Sequence, residues 1–413
     1  MYILKRFLGD EFKIFNDIIN KYNIEQNTYI NLTACVSYPF QEILDVQAMP
    51  LATIPTEGSR GKRFFPNVES IDAIENYAEA LGLCLFRVED SSYKISVQPN
   101  SGTQANQIVY NAILNNGDTI LALSPQDGGH ISHTKLGCRD IHPIYFTLNE
   151  DLEINYDILE KLIVNQSPKL VIVGASSYIK EFDYKKIYSI TSRYNVPLMA
   201  DICHSVLYIM GKVHKNIFPY VDFATFTMDK LLCGPQGGVI VYKNKYDKQI
   251  ESSIFPKTQG GPIQNNLFSK TMCFLKLSSM NVEEYAKKVI SNTDLMINVL
   301  RAENIKVINN AAYNHIILVD VTDNNVSGKE AEELLFNYGI LVNRNLIPND
   351  KNNALVTSGV RIGTVPLTNL NYSQDDIMIL GRYLADVIKG EIPSQNDFRI
   401  LIDKYHRNIN ISS

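Results

Sequence analysis

Lys230 stands just past a β-branched and aromatic run and just ahead of a glycine-rich turn, in Thr225-Phe-Thr-Met-Asp-Lys-Leu-Leu-Cys-Gly-Pro-Gln-Gly-Gly238. An amine at such a strand end can form a Schiff base with an aldehyde cofactor. Taken alone, a strand-end lysine is more often a surface residue. Three further segments bear on the choice. In Val97-Gln-Pro-Asn-Ser-Gly-Thr-Gln-Ala-Asn106 a helical stripe begins, with Ile108, Val109, Ala112 and Ile113 at helical spacing. Ser101, Gly102 and Thr103 therefore fall at a helix N-terminus, where free N–H groups and the helix dipole suit a phosphate. An ordinary N-cap is the plainer reading of the same residues.

Asp201 ends the apolar run Val196-Pro-Leu-Met-Ala-Asp201, and His204 follows three residues on. A carboxylate there could pair with a protonated pyridine nitrogen and strengthen it as an electron sink, or simply cap the next helix. Arg361 lies inside an apolar strand between Val360 and Ile362. It needs an anionic partner, either an amino-acid carboxylate held in a bidentate fork or a structural carboxylate of the chain itself.

The order is phosphate cradle, Asp201, Lys230, Arg361. In this order, and in many short blocks from about Ile30 to about Thr364, the chain resembles the serine hydroxymethyltransferase family, which uses pyridoxal 5'-phosphate (PLP) on fold type I. The blocks include Glu57-Gly58 with Gly61-Lys62-Arg63, Gly128-Gly129-His130, Gly174-Ala175-Ser176, Gln259-Gly-Gly-Pro262, Val342-Asn-Arg-Asn345 and Thr357-Ser-Gly-Val-Arg-Ile-Gly-Thr364. The resemblance implies that Lys230 carries the cofactor, Asp201 meets its pyridine nitrogen, and Ser101, Gly102 and Thr103 hold its phosphate. Gly260 and Gly261 would add N–H groups to that phosphate, from the same or a partner subunit. Ser176 and His204 would contact the cofactor's phenolic oxygen and the substrate. Arg361 would bind the substrate carboxylate, and Glu57 would relay a proton near the substrate hydroxyl. Asn345 belongs to the block that matches the family's folate-side loop.

Six positions depart from the family pattern. Asp127 replaces a histidine that stacks on the cofactor ring. Pro55 and Phe65 replace tyrosines, Cys35 a serine beside the substrate carboxylate, Asp229 a histidine and Gln236 an arginine. Each lost donor would be worth about 1–3 kcal/mol, enough to retune the reaction. Whether tetrahydrofolate is used is left open. The preferred expectation is a specialised enzyme making or breaking the Cα–Cβ bond of an α-amino acid, as an aldolase, transaldolase or hydroxymethyltransferase. A racemase, aminotransferase or decarboxylase is the alternative, with Asp127 or Asp229 as proton carriers. A non-catalytic binding homologue is a third, and the pairing of Lys230 with Asp201 argues against it.

The supporting elements fit. Apolar runs at Thr119–Leu123, Leu170–Val173, Pro197–Ala200 and Val239–Tyr242 alternate with helical patterns such as Tyr156–Val164 and Lys186–Tyr194, as in an α/β fold with a mostly parallel sheet. The expected organisation is an N-terminal arm (1–29), a large PLP-binding domain (30–276) and a smaller C-terminal α/β domain (277–413). Residues after Gln395 are expected to form a tail on the large domain or to remain mobile. The chain has 413 residues, of which 45% are apolar, and a net charge of −5 without a basic run, so nucleic acid is not an expected partner. No stretch is long enough for a membrane span, and Met1–Phe7 lacks the apolar core of a signal peptide. Six cysteines without a CxxC pair suggest reduced thiols in a cytoplasmic enzyme. No metal site is expected: His142, His214, His315 and His406 have no companions at ligand spacing, and His130 and His133 read as structural. The resemblance implies a homodimer with active sites at the interface.

Overall fold

The computed structural model describes residues 9–51, 54–88, 92–135, 137 and 140–405. Met1–Phe7, Cys138 and His406 lie outside them. The chain opens with α1 (Gly9–Gln26), β1 (Ile30–Asn31), α2 (Gln41–Gln47), the hairpin β2 (Gly58–Ser59) and β3 (Lys62–Arg63), and α3 (Glu69–Phe86). A seven-stranded sheet follows, built from β4 (Tyr93–Ser96), β5 (Thr119–Leu123), β6 (His142–Phe146), β7 (Leu170–Gly174), β8 (Leu198–Asp201), β9 (Phe223–Thr227) and β10 (Gly238–Lys243). Its spatial order is β4-β10-β9-β8-β7-β5-β6, and only β10 runs against its neighbours.

Helices α4 (Gly102–Ile113), α5 (Tyr156–Gln166), α6 (Tyr184–Thr191) and α7 (Val206–Met210) connect these strands. Helices on both faces explain why β7, β8 and β9 are buried at every residue and mostly apolar, with Asp201, Thr225 and Thr227 as the polar exceptions. After α8 (Asp247–Ser252) and α9 (Gln264–Ser279), the long α10 (Val282–Ala302) spans two cores. Its Val282, Ala286 and Val289 pack with the large sheet, whereas Met296, Ile297 and Leu300 pack with the C-terminal unit.

That unit contains β11 (Lys306–Val307), β12 (Ile316–Asp320), α11 (Gly328–Asn337), β13 (Ile340–Leu341), β14 (Asn343–Asn345), β15 (Gly359–Gly363), α12 (Val365–Asn369) and α13 (Gln374–Lys389). Its four-stranded antiparallel sheet has the order β11-β12-β15-β14. β1 pairs with β13, so Ile30 and Leu32 join this second core although they precede the large sheet in sequence. The end of the chain differs from expectation. Gln395–Tyr405 form a helix, α14, that packs on the smaller domain: Leu401 is buried in its core, Phe398 stacks on Tyr383, and Lys404 pairs with Asp376 at 2.6 Å. An apolar face on this short helix has more to gain against α13 than in water.

Candidate active site

The C-terminal ends of the parallel strands, where ligands of open α/β sheets bind, carry the site. Asp201 is the last residue of β8, Ser176 lies two residues past β7, and Lys230 three past β9. With Ser101, Gly102, Thr103, His130 and His204 they line one cavity of about 180 Å³.

Asp201 forms the cavity's charged wall. Its Oδ2 accepts from Asn106 Nδ2 at 3.0 Å and lies 3.1 Å from His133 Nε2, while Oδ1 accepts from the Cys203 backbone N–H at 3.2 Å. Burial alone would raise its pKa, but the hydrogen bond from His133 and the charges of His133 and His130 outweigh that and hold it well below the carboxylate range. Thr225 Oγ1 donates to Asn106 Oδ1 at 2.6 Å, which orients the amide so that its N–H groups face Asp201. Asn106 stands one helical turn inside α4 from Gly102, on the face toward the strand ends. Neither Asn106 nor His133 stood out in the sequence as a site residue. Their i,i+4 and short-loop positions relative to Gly102 and Gly129 were the available signals.

The opposite wall is the start of α4. Ser101 is its N-cap, with Oγ accepting from the Gln104 N–H at 3.1 Å, so the next free N–H groups face the cavity. A Cβ at Gly102 would come 2.7 Å from Thr227 Cγ2, so no larger residue fits between the helix and β9. Among the described residues the Lys230 amine has no hydrogen-bond or ion-pair partner. A free amine, an ionised buried carboxylate and a helix N-terminus around one cavity fit an aldehyde cofactor bearing a cationic ring nitrogen and a phosphate.

Arg361 is buried in β15, 8% exposed. Its Nε donates to Asn343 Oδ1 at 3.0 Å, and Nη1 donates to the Ser176 carbonyl across the domain boundary. Burial lowers its pKa and the neighbouring Cys35 opposes that shift. No carboxylate among the described residues is within ion-pair distance, so the structural salt bridge that competed with ligand binding is absent there.

His204 is buried, and its Nδ1 lies 3.3 Å from Nε2 of His315. Sequence reasoning missed His315, which is 111 positions away and belongs to the smaller domain. It also missed Lys270, a fully buried lysine in α9 whose Nζ donates to the carbonyls of Val97 (2.7 Å), Pro99 (2.6 Å) and Gly238 (3.0 Å). Lys270 ties the strand that enters the Ser101 turn to the turn that follows Lys230.

Other candidates lie elsewhere. Asp127 is turned from the Lys230 cavity: its carboxylate accepts from the Leu148 N–H at 3.2 Å and faces a separate cleft with Leu152, Leu318, Leu346 and Pro348. Burial raises its pKa. His130, three residues on, lines the cavity instead. Asp229 does not line it, and Asn345 Nδ2 donates to the Leu346 carbonyl at 2.6 Å. Glu57, Phe65, Gly260 and Gly261 also stand outside this cavity. Glu57 and Gly260 are neighbours, a Cβ on the glycine falling 3.4 Å from Glu57 Oε1, and Phe65 is exposed. His130, His133 and Asp201 have ligand atoms within 4.8 Å of one another, a grouping that a metal ion could use, but the hydrogen bond between His133 and Asp201 already accounts for it.

The family model for serine hydroxymethyltransferase matches residues 9–384. The serine hydroxymethyltransferase of Cupriavidus necator is 35% identical over 373 residues, covering 90% of this chain and 89% of the relative. Those of Ralstonia pickettii and Thiobacillus denitrificans are each 35% identical, covering 90% and 88% of this chain and 89% and 87% of the relatives. A lysine and an aspartate on one cavity at the strand ends, with a buried arginine bonded to the Ser176 carbonyl beside it, therefore coincide with sequence similarity along nearly the whole length, and the chain belongs to the serine hydroxymethyltransferase family.

Proposed function

We propose that this protein is a PLP-dependent enzyme that makes or breaks the Cα–Cβ bond of an α-amino acid, as a hydroxymethyltransferase, aldolase or transaldolase. The carrying observation is the Lys230 amine, without a partner among the described residues, between ionised Asp201 and the start of α4, with buried Arg361 meeting no carboxylate among them. PLP, when bound, supplies an electron sink for the carbanion left at Cα. Lys230 holds the cofactor through its amine. Asp201 keeps a negative charge against the ring nitrogen, and Ser101, Gly102 and Thr103 direct N–H and hydroxyl donors at the phosphate. Ser176 and His204 orient the cofactor's edge and the substrate. Arg361 grips the substrate carboxylate, with Cys35 beside it. Asn343 belongs with these residues, since it holds the Nε of Arg361.

The assembly is a homodimer whose sites lie at the interface. α1 exposes Ile14, Phe15, Ile18, Ile19, Tyr22 and Ile24, an apolar surface that a second copy would cover. Glu57, Gly260 and Gly261 stand together outside the cavity of their own subunit, as does exposed Phe65, and these residues would complete that of the partner, with Glu57 relaying a proton at the substrate hydroxyl. Asn345 would serve the acceptor side, where tetrahydrofolate or another carbonyl carrier would sit. Neither Asp127 nor Asp229 lines the Lys230 cavity, which favours Cα–Cβ chemistry over racemisation, transamination or decarboxylation. The substitutions at Asp127, Pro55, Phe65, Cys35, Asp229 and Gln236 support a specialised substrate. Five free cysteines among the described residues accord with a reducing, cytoplasmic setting, and no described helix is long and apolar enough to cross a membrane.

Product analysis tests the proposal. PLP-loaded protein is offered serine, threonine, alanine and α-methylserine, with and without tetrahydrofolate. Release of glycine or alanine with an aldehyde is expected. Exchange of the Cα proton, a keto acid or an amine without cleavage would overturn it.

A further inference from the structure

His315 stands immediately before β12 in the smaller domain, yet its ring sits against His204 at the edge of the Lys230 cavity. The two imidazoles are nearly parallel, with an interplanar angle of 9° and centroids 5.3 Å apart. His315 Nε2 is 3.0 Å from the Ala34 carbonyl oxygen and 3.3 Å from His204 Nδ1, while His315 Nδ1 is 3.2 Å from the Tyr208 hydroxyl. All three side chains are buried.

These contacts determine where the protons are. A carbonyl oxygen only accepts, so Nε2 of His315 carries a hydrogen. A neutral ring then has a bare Nδ1, and the Tyr208 hydroxyl donates to it. Burial keeps both rings neutral: the pKa of His315 falls to about 3 and that of His204 lies well below the ordinary value. The His315 Nε2–H is thus shared between Ala34 O and His204 Nδ1, as a three-centre bond. With Nδ1 accepting, the single proton of neutral His204 must sit on Nε2. That nitrogen has no partner among the described residues.

We propose that His315 is a positioning residue that locks His204 in the Nε2–H tautomer, so that the smaller domain sets the hydrogen-bonding sense of a side chain on the large one. His204 then offers a donor to the cavity and serves no role as a base there. Its ligand is an anionic oxygen, a phenolate or a carboxylate. The identity of that ligand rests on the proposed function, whereas the tautomer does not.

Histidine-labelled, full-length protein as purified is the sample, and two-dimensional NMR correlating ring nitrogens with ring carbon-bound protons reads each tautomer directly. The seven histidines of the chain are assigned by single substitution. In the wild type, His204 is expected as one form, with Nε2 protonated and Nδ1 bare. His315→Leu should let the Nδ1–H form appear beside it, and His315→Gln, which keeps an N–H donor, should restore the single form. A protonated Nδ1 in the wild type, or an unchanged single form in His315→Leu, would overturn the proposal. The wild-type spectrum alone can do so if a variant fails to fold. A locked His204 in a protein without amino-acid cleavage would sink the proposed function and leave this inference standing.

Discussion

Asn343 and Arg361 are cross-strand partners on β14 and β15, and the Asn343 Oδ1 holds the Arg361 Nε at 3.0 Å. The pair fixes one edge of the guanidinium, and the Ser176 carbonyl takes Nη1, leaving the remaining donors for an anion. Among the described residues the guanidinium is a buried cation that no carboxylate meets, an arrangement a ligand anion would complete.

Arg361→Ala should therefore weaken amino-acid binding far more than cofactor binding. Truncating one partner of a desolvated, hydrogen-bonded charge pair costs about 2–5 kcal/mol, or roughly thirty-fold and upward in affinity. Titration calorimetry with amino acid and with PLP separates the two, and equal losses would count against a carboxylate role. Arg361→Lys should recover little, because an ammonium cannot reproduce the fork.

Lys230→Ala should abolish the covalent link between chain and cofactor. Borohydride reduction followed by mass spectrometry of the peptides reads this directly. A pyridoxyl adduct persisting on another lysine at wild-type yield would reassign the tether, and Lys270, buried beneath the same turn, is the first alternative to inspect.

Lys270 predicts a pH dependence of stability. Burial holds its pKa down to about 7, against an ordinary value of 10.5. Between these values the unfolded chain binds more protons than the folded one, so folding stability due to this residue rises as pH increases from about 7 to 10.5. Urea melts of wild type and Lys270→Met at pH 7 and pH 9 should show the wild type gaining relative to the variant at the higher pH. A constant difference would mean that the three carbonyls keep the ammonium charged throughout. The variant should also bind PLP more weakly, since the Ser101 turn loses its tie to Gly238.

Acid should loosen the site before it unfolds the sheet. His130 titrates at about 4 and His315 at about 3, both depressed from 6.5 by burial. The stability they contribute is present above pH 6.5 and is lost as pH falls toward those lower values, because only the unfolded chain takes up the protons readily. Loss of PLP fluorescence with retained far-UV circular dichroism between pH 6 and 4 is the expected signature. His315→Gln should shift that loss to lower pH.

Subunit mixing tests the shared site. Lys230→Ala and Glu57→Ala proteins, each inactive alone, should regain about a quarter of wild-type activity when exchanged at equal amounts, because half the dimers are mixed and each holds one intact site. No recovery after verified exchange would place Glu57 in the same site as its own Lys230.

Local features of the chain were legible from sequence, and contacts between distant residues were not. Ser101 as an N-cap, Asp201 as the last residue of a buried strand and Lys230 just beyond another all follow from period and punctuation within ten residues. Arg361 announced itself by being charged in an apolar strand. His315 looked unaccompanied because its companions His204, Tyr208 and Ala34 are at least 107 residues away. Lys270 read as one more polar residue of α9, since nothing local distinguishes a lysine that points inward. The tail was misjudged because the apolar stripe of α14 declares that it packs, without declaring on which core.

The reach of Arg361 from the smaller domain to the Ser176 carbonyl has a consequence for traffic through the enzyme. The arginine acts as a rivet between the two lobes even before substrate arrives. A clamshell opening would break that bond at a cost of about 1–3 kcal/mol and draw away the very group that selects the substrate, so such an opening would loosen the grip on the substrate as it admits solvent.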